Sequence, residues 1–374
     1  MQKKFLMLTI AIASSFGLVA CGLGDRKGLI ENGGEKVKVG MISESGMLND
    51  KSFNQGTWEE IKRYEQEFDT ITKQYVRPLD DSTQHYVEAA EKLLADGNKL
   101  IVAPGFKFEE AIDLLQVEHP EIKFLILDGE PTSGVAENTI AINFAEQEAG
   151  FLAGITAALE TKTNKVGFIG GMVTPVVQRF GYGFVMGVAY ANANLGTDVE
   201  VADYLYNGTF IDILGGQAQA GEMYDKGIDI IFAAAGGVGN GIIAEAKTRA
   251  EAGQEVFVIG VDVDQYEDGL MANGKSVILT SAIKRIDNAV YNTIDQFVKG
   301  TFTGGKAITL DAKNDGIGLP AENPNLSEST KQQVDEVFQL IKEGSLVIPA
   351  ELEAVIKMLE DLGMDPNLYN LSGE

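Results

Sequence analysis

Aromatic, amide and carboxylate side chains recur in this chain just after short apolar runs. The stretch NDKSFNQ, residues 49–55, places Asn49, Asp50 and Asn54 around Phe53. Comparable positions further along hold Phe106, Asp128, Phe210, Gly236, Asp262 and Lys284. An aromatic face can stack on a planar ring, at about 1–3 kcal/mol per base in single-strand binders. Carboxylates accept paired hydrogen bonds from adjacent hydroxyls. These residue types predict a site for a flat ring joined to a sugar. A nucleoside fits better than a nucleotide, because these loops offer one lysine and no arginine cluster.

Each of these residues also has a purely structural interpretation. The helical spacing around Phe53 suits a core position as well as a binding position. Phe210 could end a strand against the core. An Asp at the end of a strand often caps the next helix, and that role is open to Asp128 and Asp262. Lys284 could be a solvated surface charge. Residue type alone leaves these alternatives open.

The elements that must position these side chains repeat one pattern from Val37 onward. Each unit has a short apolar run, a turn with Gly, Asp or Asn, and a longer helical pattern. Nine runs fit: VKVGMIS, ITKQYV, KLIVAPGF, KFLILDG, KVGFIGG, VEVADYLY, IDIIFAAAGG, VFVIGVDVD and SVILTSAIK. Continuous rather than alternating apolar runs predict parallel strands covered by helices on both faces, which is an α/β fold. Ligands of such sheets bind beyond the carboxyl ends of the strands, where the residues above would meet. The run NTIAINFAEQE, residues 138–148, is interpreted as a connection between two four- or five-stranded units.

Composition narrows the classes of function. The chain has 374 residues with 45% hydrophobic content, which predicts a globular protein of two domains. It carries 30 basic against 55 acidic residues. Binding to nucleic acid or to an anionic membrane face needs basic patches, so this balance argues against both.

The first residues predict export and lipid anchoring. MQKKFLMLTIAIASSFGLVACG has two lysines, a short apolar stretch and a Leu-Val-Ala sequence before Cys21, the sole cysteine. This resembles a bacterial lipobox, so residues 1–20 are interpreted as a signal peptide and Cys21 as the lipidated residue. Cleavage elsewhere, or a free thiol, is the alternative. Residues 21–35 are glycine-rich and polar, and are interpreted as a tether at the extracytoplasmic face of the cell membrane.

Enzyme and metal chemistry have little support in the sequence. The two histidines, His85 and His119, lie in stretches that favour surface positions, and the chain has no G-x-S-x-G motif. GGVGNG, residues 236–241, is not a full dinucleotide fingerprint. VDVDQYEDG lacks the glycine that a calcium-binding EF-hand loop needs at its sixth position. No catalytic residue, metal or cofactor is therefore expected.

Several motifs together carry a more specific signal. DKSFNQ, GFIGG, YNGTF, AAGGVGNG, VIGVDVDQ and TSAIK occur in this order after the lipobox. In this respect the chain, from about Val37 to Pro349, resembles the basic membrane protein family of bacterial lipoproteins, the nucleoside receptors of ABC importers. The resemblance implies a type I periplasmic-binding-protein fold with two α/β lobes and three crossovers. The expected division is residues 36–143 with 285–303 for the first lobe and residues 144–284 with 304–374 for the second.

The resemblance also implies roles for the residues collected above. Phe53 and Phe210 would sandwich the base, and Asn49 and Asp50 would read its edge. Asn54 and Phe106 are expected as further ligand contacts. The residues expected to hold the ribose are Asp128, Gly236, Asp262 and Lys284. Asn49 departs from the Asp of many relatives, and Ser43-Glu44-Ser45-Gly46 departs from their T-D-x-G. These departures leave the preferred base open.

The implied function is capture of a nucleoside, a purine nucleoside such as guanosine, inosine or adenosine, by a monomer. The implied partners are the permease and ATPase subunits of an ABC importer. A lipoprotein of the same fold that binds a sugar, or that signals instead of feeding a permease, is the alternative. After Pro349 the sequence predicts an amphipathic helix and a polar tail that packs on the second lobe or contacts a partner.

Overall fold

The computed structural model describes residues 36–44 and 47–373. The predicted signal peptide, the lipidation site Cys21 and the tether lie outside the described residues. In the described part, no helix is long and apolar enough to cross a membrane.

Strands and helices alternate along most of the chain. The strands are β1 (Val37–Ile42), β2 (Ile71–Val76), β3 (Leu100–Pro104), β4 (Lys123–Leu127), β5 (Thr139–Phe144), β6 (Lys165–Gly170), β7 (Glu200–Tyr206), β8 (Ile230–Ala234), β9 (Phe257–Asp262), β10 (Ile278–Lys284), β11 (Lys306–Leu310) and β12 (Ile317–Gly318). The α-helices are α1 (Phe53–Phe68), α2 (Thr83–Ala95), α3 (Glu109–Glu118), α4 (Glu146–Glu160), α5 (Pro175–Asn194), α6 (Ile213–Asp225), α7 (Gly237–Glu251), α8 (Ile286–Val298), α9 (Glu328–Lys342) and α10 (Leu352–Asp361). Short 3-10 helices span Phe106–Phe108, Tyr266–Gly269, Ala312–Asn314 and Pro366–Leu368.

The strands form two six-stranded sheets, one for each lobe. The first has the order β11-β5-β4-β3-β1-β2, and its strands are all parallel. The second has the order β12-β10-β9-β8-β6-β7, and only the short edge strand β12 is antiparallel. The chain passes between the sheets three times, after β5, after β10 and between β11 and β12. The predicted α/β fold with two parallel-sheet lobes is confirmed.

Two details of the predicted organisation are wrong. Residues 138–148 are more than a connection, because Thr139–Phe144 is a strand of the first sheet and α4 begins at Glu146. Lys306–Leu310 pairs with β5, so it belongs to the first lobe rather than to the segment 304–374 expected in the second. This edge strand is largely exposed and therefore lacks the continuous apolar run that marks a central strand.

Helices α4 and α5 pack closely against each other. Both helices are buried along most of their length. A Cβ on Gly154 or on Gly187 would lie 3.0 Å from the Cα of the other glycine, so the two backbones approach more closely than larger residues allow. The contact fixes the direction of α5. Its first turn, beginning at Pro175, points towards the carboxyl ends of the strands.

Candidate functional site

A cavity lies where the carboxyl ends of both sets of strands meet. Nine of the ten predicted binding residues line it: Asp50, Phe53, Asn54, Phe106, Asp128, Phe210, Gly236, Asp262 and Lys284. The tenth, Asn49, is exposed and does not line the cavity. Further lining residues are Glu44, Gly105, Thr174, Val176, Val177, Phe180, Ala234, Ala235 and Val261. The carboxyl ends of the parallel strands thus bring nine of the ten residues to one cavity.

One end of the cavity, here called the lysine end, is a buried charge network of Lys284, Asp128, Asp262 and Ser52. The ammonium of Lys284 lies 2.5 Å from Asp128 Oδ2 and 3.1 Å from Asp262 Oδ1. The hydroxyl of Ser52 donates to Asp262 Oδ2. Among the described residues, Asp128 Oδ1 has no hydrogen-bond partner. Asp128 follows the first sheet and Lys284 ends a strand of the second, so the pair joins the two lobes.

The environment of the lysine end explains its ionisation. Burial opposes a charge on Lys284, but the carboxylates of Asp128 and Asp262 outweigh burial and raise its pKa. Burial raises the pKa of Asp128, while the charge of Lys284 lowers it in part. Lys284 Nζ also lies 4.3 Å from the centre of the Phe53 ring, within the range of a cation–π contact. Lys284 is thus a buried, charged donor and not a solvated surface group.

Backbone geometry separates Asp128 and Asp262 from ordinary helix caps. Their φ angles are 55° and 68°, in the left-handed region that non-glycine residues seldom adopt. Neither is the N-cap residue of a described helix. Strain of this kind is held in place by the surrounding structure and is common at functional sites. The capping interpretation is therefore wrong for both residues.

Aromatic rings line the middle of the cavity. Phe53 begins α1, Phe106 begins a 3-10 helix, and Phe180 lies in the second turn of α5. Phe53 is half-buried, and it both contacts the core and lines the cavity. Phe210 lies in the loop after β7, and its ring lies so close to Gly171 that a Cβ there would overlap it. This contact explains the last glycine of the GFIGG motif.

The side chain of Asp50 stabilises the loop before α1 through hydrogen bonds. The two carboxylate oxygens of Asp50 accept hydrogen bonds from the backbone N–H groups of Ser52, Asn54 and Gln55 and from the Asn54 amide. Burial raises the pKa of Asp50, and these donors oppose that effect. Asn49 is exposed, and the carboxylate of Asp50 already accepts hydrogen bonds from its own loop. The pair predicted to read the edge of the base therefore has few hydrogen-bonding groups left for it.

The other end of the cavity, here called the glutamate end, contains Glu44, Asn54 and Lys107. Glu44 lines the cavity, and its carboxylate lies 3.5 Å from Lys107 Nζ. Burial raises the pKa of Glu44 to about 7, although Lys107 lowers it in part. Asn54 Oδ1 is buried and has no hydrogen-bond partner in the part of the chain that the structure describes. Glu44 was missing from the predicted site, although the departure from T-D-x-G at this position was a signal that could have found it.

Contacts between the lobes surround the cavity. The Gln265 amide donates to the Lys51 carbonyl at 2.8 Å, and Lys51 pairs with Asp268 at 2.7 Å. The Asn240 amide donates to the Asp50 carbonyl at 3.2 Å. The loop that carries Asp50 thus contacts the second lobe through Asp50, Lys51 and Ser52, and the lobes meet around the cavity.

The two histidines lie away from the cavity. His85 is hydrogen-bonded to Asp80, and His119 to Glu91. Glu91, Glu118 and His119 form a group on the surface with metal-ligand side chains, and none of them lines the cavity. The cavity therefore brings together aromatic rings, carboxylates and one ammonium.

Comparison with known proteins agrees with this geometry. The family described as "ABC transporter substrate-binding protein PnrA-like" matches residues 36–351. The CD4+ T-cell-stimulating antigen of Listeria monocytogenes is 35% identical, over 92% of this chain and 97% of its own length. The ABC transporter nucleoside-binding protein BmpA of Lactococcus lactis subsp. cremoris is 31% identical, over 94% of this chain and 100% of its own.

Solved structures give the same result for the fold. A solute-binding protein of an ABC transporter system from Aeropyrum pernix K1 superposes with a TM-score of 0.75 and 27% identity, covering 87% of this chain and 97% of that one. Its counterpart from Conexibacter woesei superposes with a TM-score of 0.66 and 25% identity, covering 84% and 99%. The members of this family bind substrates for ABC transporters and are not enzymes. The chain belongs to the Bmp family of PnrA-like ABC transporter substrate-binding proteins.

Proposed function

We propose that this protein captures a purine nucleoside between its two lobes and delivers it to the permease of an ABC importer. The observation that carries the proposal is one cavity in which aromatic rings adjoin a buried lysine held by two carboxylates. The rings suit a planar base, and the lysine end suits a sugar. The name of the Lactococcus relative, a nucleoside-binding protein, supports the same ligand class.

In the proposed complex the base lies between Phe53 and Phe210, and the ribose lies at the lysine end. Asp128 Oδ1, which has no partner among the described residues, is available to a sugar hydroxyl. Asp262 accepts from a second hydroxyl, and Lys284 donates to a sugar oxygen. Gly236, at a φ of 53°, lets the backbone pass close to the ligand. Three oxygens of the sugar then gain charged partners out of water, which makes these hydrogen bonds strong.

The glutamate end is proposed to read the edge of the base. An ionised carboxylate only accepts hydrogen bonds, and Asn54 Oδ1 is a second acceptor. Guanine presents two adjacent N–H donors on its pairing edge, and hypoxanthine presents one. Adenine presents its amino donor beside a ring nitrogen that accepts hydrogen bonds. The arrangement favours guanosine and inosine over adenosine, with Glu44 in the role first expected for Asn49 and Asp50.

Calorimetric titration of the refolded chain, stripped of carried-over ligand, tests the proposal. Guanosine, inosine, adenosine, cytidine, free guanine, guanosine monophosphate, ribose and arabinose are the panel. We expect the tightest binding for guanosine or inosine and much weaker binding for free base or free sugar. A response to free sugar alone would favour the alternative sugar-binding function. Binding of none of these by a folded sample would contradict a nucleoside receptor.

The proposed location is the outer face of the membrane, through a lipid on Cys21. The lipobox-like sequence before the sole cysteine supports this attachment. Fractionation of cells that produce the natural chain or the variant Cys21→Ser tests it. We expect the natural chain with the membranes and the variant in the soluble fraction. Equal membrane association of both would contradict the lipid anchor.

A further inference from the structure

A segment near the C-terminus packs against elements that line the cavity. After α10, which packs on α5, residues 364–373 form a segment here called the tail. Within the tail, Leu371 is 4% exposed, whereas Leu368 is 72% exposed. Leu371 is therefore the buried apolar anchor of the tail, and Met364 and Tyr369 pack partly buried against the same core. The tail also lies beyond residue 351, where the match to the family ends.

On one side, the tail holds the beginning of α5. The side-chain amide of Gln178 donates to the carbonyls of Leu371, at 3.4 Å, and Ser372, at 2.9 Å. Gly373, at a φ of 77°, packs so closely on Val173 that a Cβ would overlap the valine side chain. The cavity-lining residues of this turn, bracketed by these two contacts, are Thr174, Val176 and Val177.

On the other side, the tail supports the ends of β6 and β7. The ring of Tyr369 lies 6.3 Å from that of Tyr204, whose hydroxyl is 3.1 Å from the hydroxyl of Tyr206. Tyr206 in turn packs against Gly170, where a Cβ would overlap its ring. The next residue, Gly171, is the one that the cavity-lining Phe210 ring covers. The tail thus contacts α5 directly and adjoins the Phe210 loop through Tyr204 and Tyr206, and these are two of the second-lobe elements that line the cavity.

We infer that the tail is a positioning segment for the ligand site, which holds the first turn of α5 and the Phe210 loop in their binding geometry. A group of side chains that is held in place loses less conformational freedom when ligand binds. Because coupling between two sites is reciprocal, ligand in the cavity must also hold the tail more firmly. The choice of ligand in the test rests on the proposed function, but the inference about α5 does not.

The test compares Leu371→Ala and Gln178→Ala with the matched control Leu368→Ala in the full-length chain. Guanosine and inosine are the probes, at a temperature well below each unfolding midpoint. We expect roughly fivefold or greater loss of affinity in the first two variants, the lower end of ordinary coupling between sites. The control should bind as the natural chain does. Amide hydrogen exchange within residues 364–373 should slow when either nucleoside is added.

A second readout needs no ligand. In the absence of nucleoside, Leu371→Ala should speed amide exchange across residues 174–180 while Leu368→Ala leaves it unchanged. The inference would be overturned if Leu371→Ala lowered the unfolding midpoint but left nucleoside affinity and amide exchange at residues 174–180 unchanged. The tail would then have a stabilising role only. If the natural chain binds neither nucleoside, the proposed function fails, and exchange at residues 174–180 still decides the role of the tail.

Discussion

The two ends of the cavity differ in how deeply their ion pairs are buried and in how closely the opposite charges approach each other. At the lysine end, the side chains of Lys284 and Asp128 are 2% and 6% exposed and lie 2.5 Å apart. At the glutamate end, the side chains of Lys107 and Glu44 are 19% and 13% exposed, and the ion pair is 3.5 Å long. The lysine end is a tight, buried network, and the glutamate end is looser and more exposed. Each end has one acceptor without a partner among the described residues, Asp128 Oδ1 and Asn54 Oδ1.

The difference predicts different roles for the two ends. A buried ion pair costs free energy to desolvate, and removal of one member leaves an unfavourable buried charge. The lysine end is therefore expected to determine stability and ligand affinity. A looser group of acceptors costs less and responds to the hydrogen-bond pattern of what enters, so it sets selectivity. Substitutions at the two ends should therefore have effects of different size and kind.

The largest expected effect is on stability at the lysine end. Lys284→Met leaves Asp128 and Asp262 buried without their counter-ion, and we expect a loss of about 3–5 kcal/mol in unfolding free energy. Denaturant-induced unfolding measures it, with Lys299→Met as the control, because Lys299 is 39% exposed and pairs on a helix surface. Adding Asp128→Asn should recover part of the loss. A loss no greater than that of the control would contradict a strained, counter-ion-dependent network.

The next effect is on affinity at the same end. Asp262→Ala removes an acceptor for a sugar hydroxyl, and we expect nucleoside affinity to fall by about 1.5–3 kcal/mol, or roughly tenfold to a hundredfold in Kd. Titration calorimetry measures it. Asp264→Ala is the control, because Asp264 is exposed on the same loop and does not line the cavity. Equal affinities for the two variants would remove Asp262 from the ligand site.

A smaller loss is expected between the two ends. Phe53→Leu keeps an apolar contact but removes the flat face, so the loss should be less than the about 1–3 kcal/mol that a whole stacking contact contributes. The affinity of Asp262→Ala should therefore fall further than that of Phe53→Leu. Phe210→Leu should behave like Phe53→Leu if both rings hold the base. The reverse ranking in calorimetry would place more of the affinity on the rings than on the charge network.

The smallest effect in free energy, and the most selective, is expected at the glutamate end. Because the pKa of Glu44 is about 7, its carboxylate ionises as the pH rises through that value and becomes a better acceptor. Guanosine affinity should therefore rise from pH 6 to pH 8, a window of about one pH unit on either side of this pKa. Adenosine affinity should change little over the same window. Glu44→Gln should flatten the guanosine profile. A guanosine profile that is the same in the variant would exclude Glu44 from the base contact.

The ligand-free chain should show the opposite trend with pH. Burial raises the pKa values of Glu44 and Glu146 from 4.5 to about 7, so between these values the folded chain holds protons that the unfolded chain releases. Stability from these groups is present at low pH and is lost as the pH rises through this window. Glu44→Gln should remove its own share of the slope in unfolding free energy against pH. A slope that does not change in the variant would contradict the raised pKa.

The sequence by itself determined the α/β class, most of the central strands and half of the residues that line the cavity. Continuous apolar runs identify parallel strands covered on both faces, and parallel strands bring the residues that follow them to one edge. That argument brings Phe53, Asp128 and Lys284 together without knowledge of a single contact. The motifs then supported the family, because they occur in order over most of the chain.

Only the tertiary structure decided which of the residues after the strands line the cavity. Position after a strand does not set side-chain direction, so Asn49 faces solvent, Asp50 is used by its own loop, and Glu44 lines the cavity. The edge strand Lys306–Leu310 was missed because an exposed strand has no continuous apolar run. The place of the tail is likewise set by contacts far apart in sequence, since Leu371 reaches residues almost two hundred positions earlier. Local patterns carry the period and burial of an element, whereas the direction of each side chain depends on packing between elements that the chain brings together only when it folds.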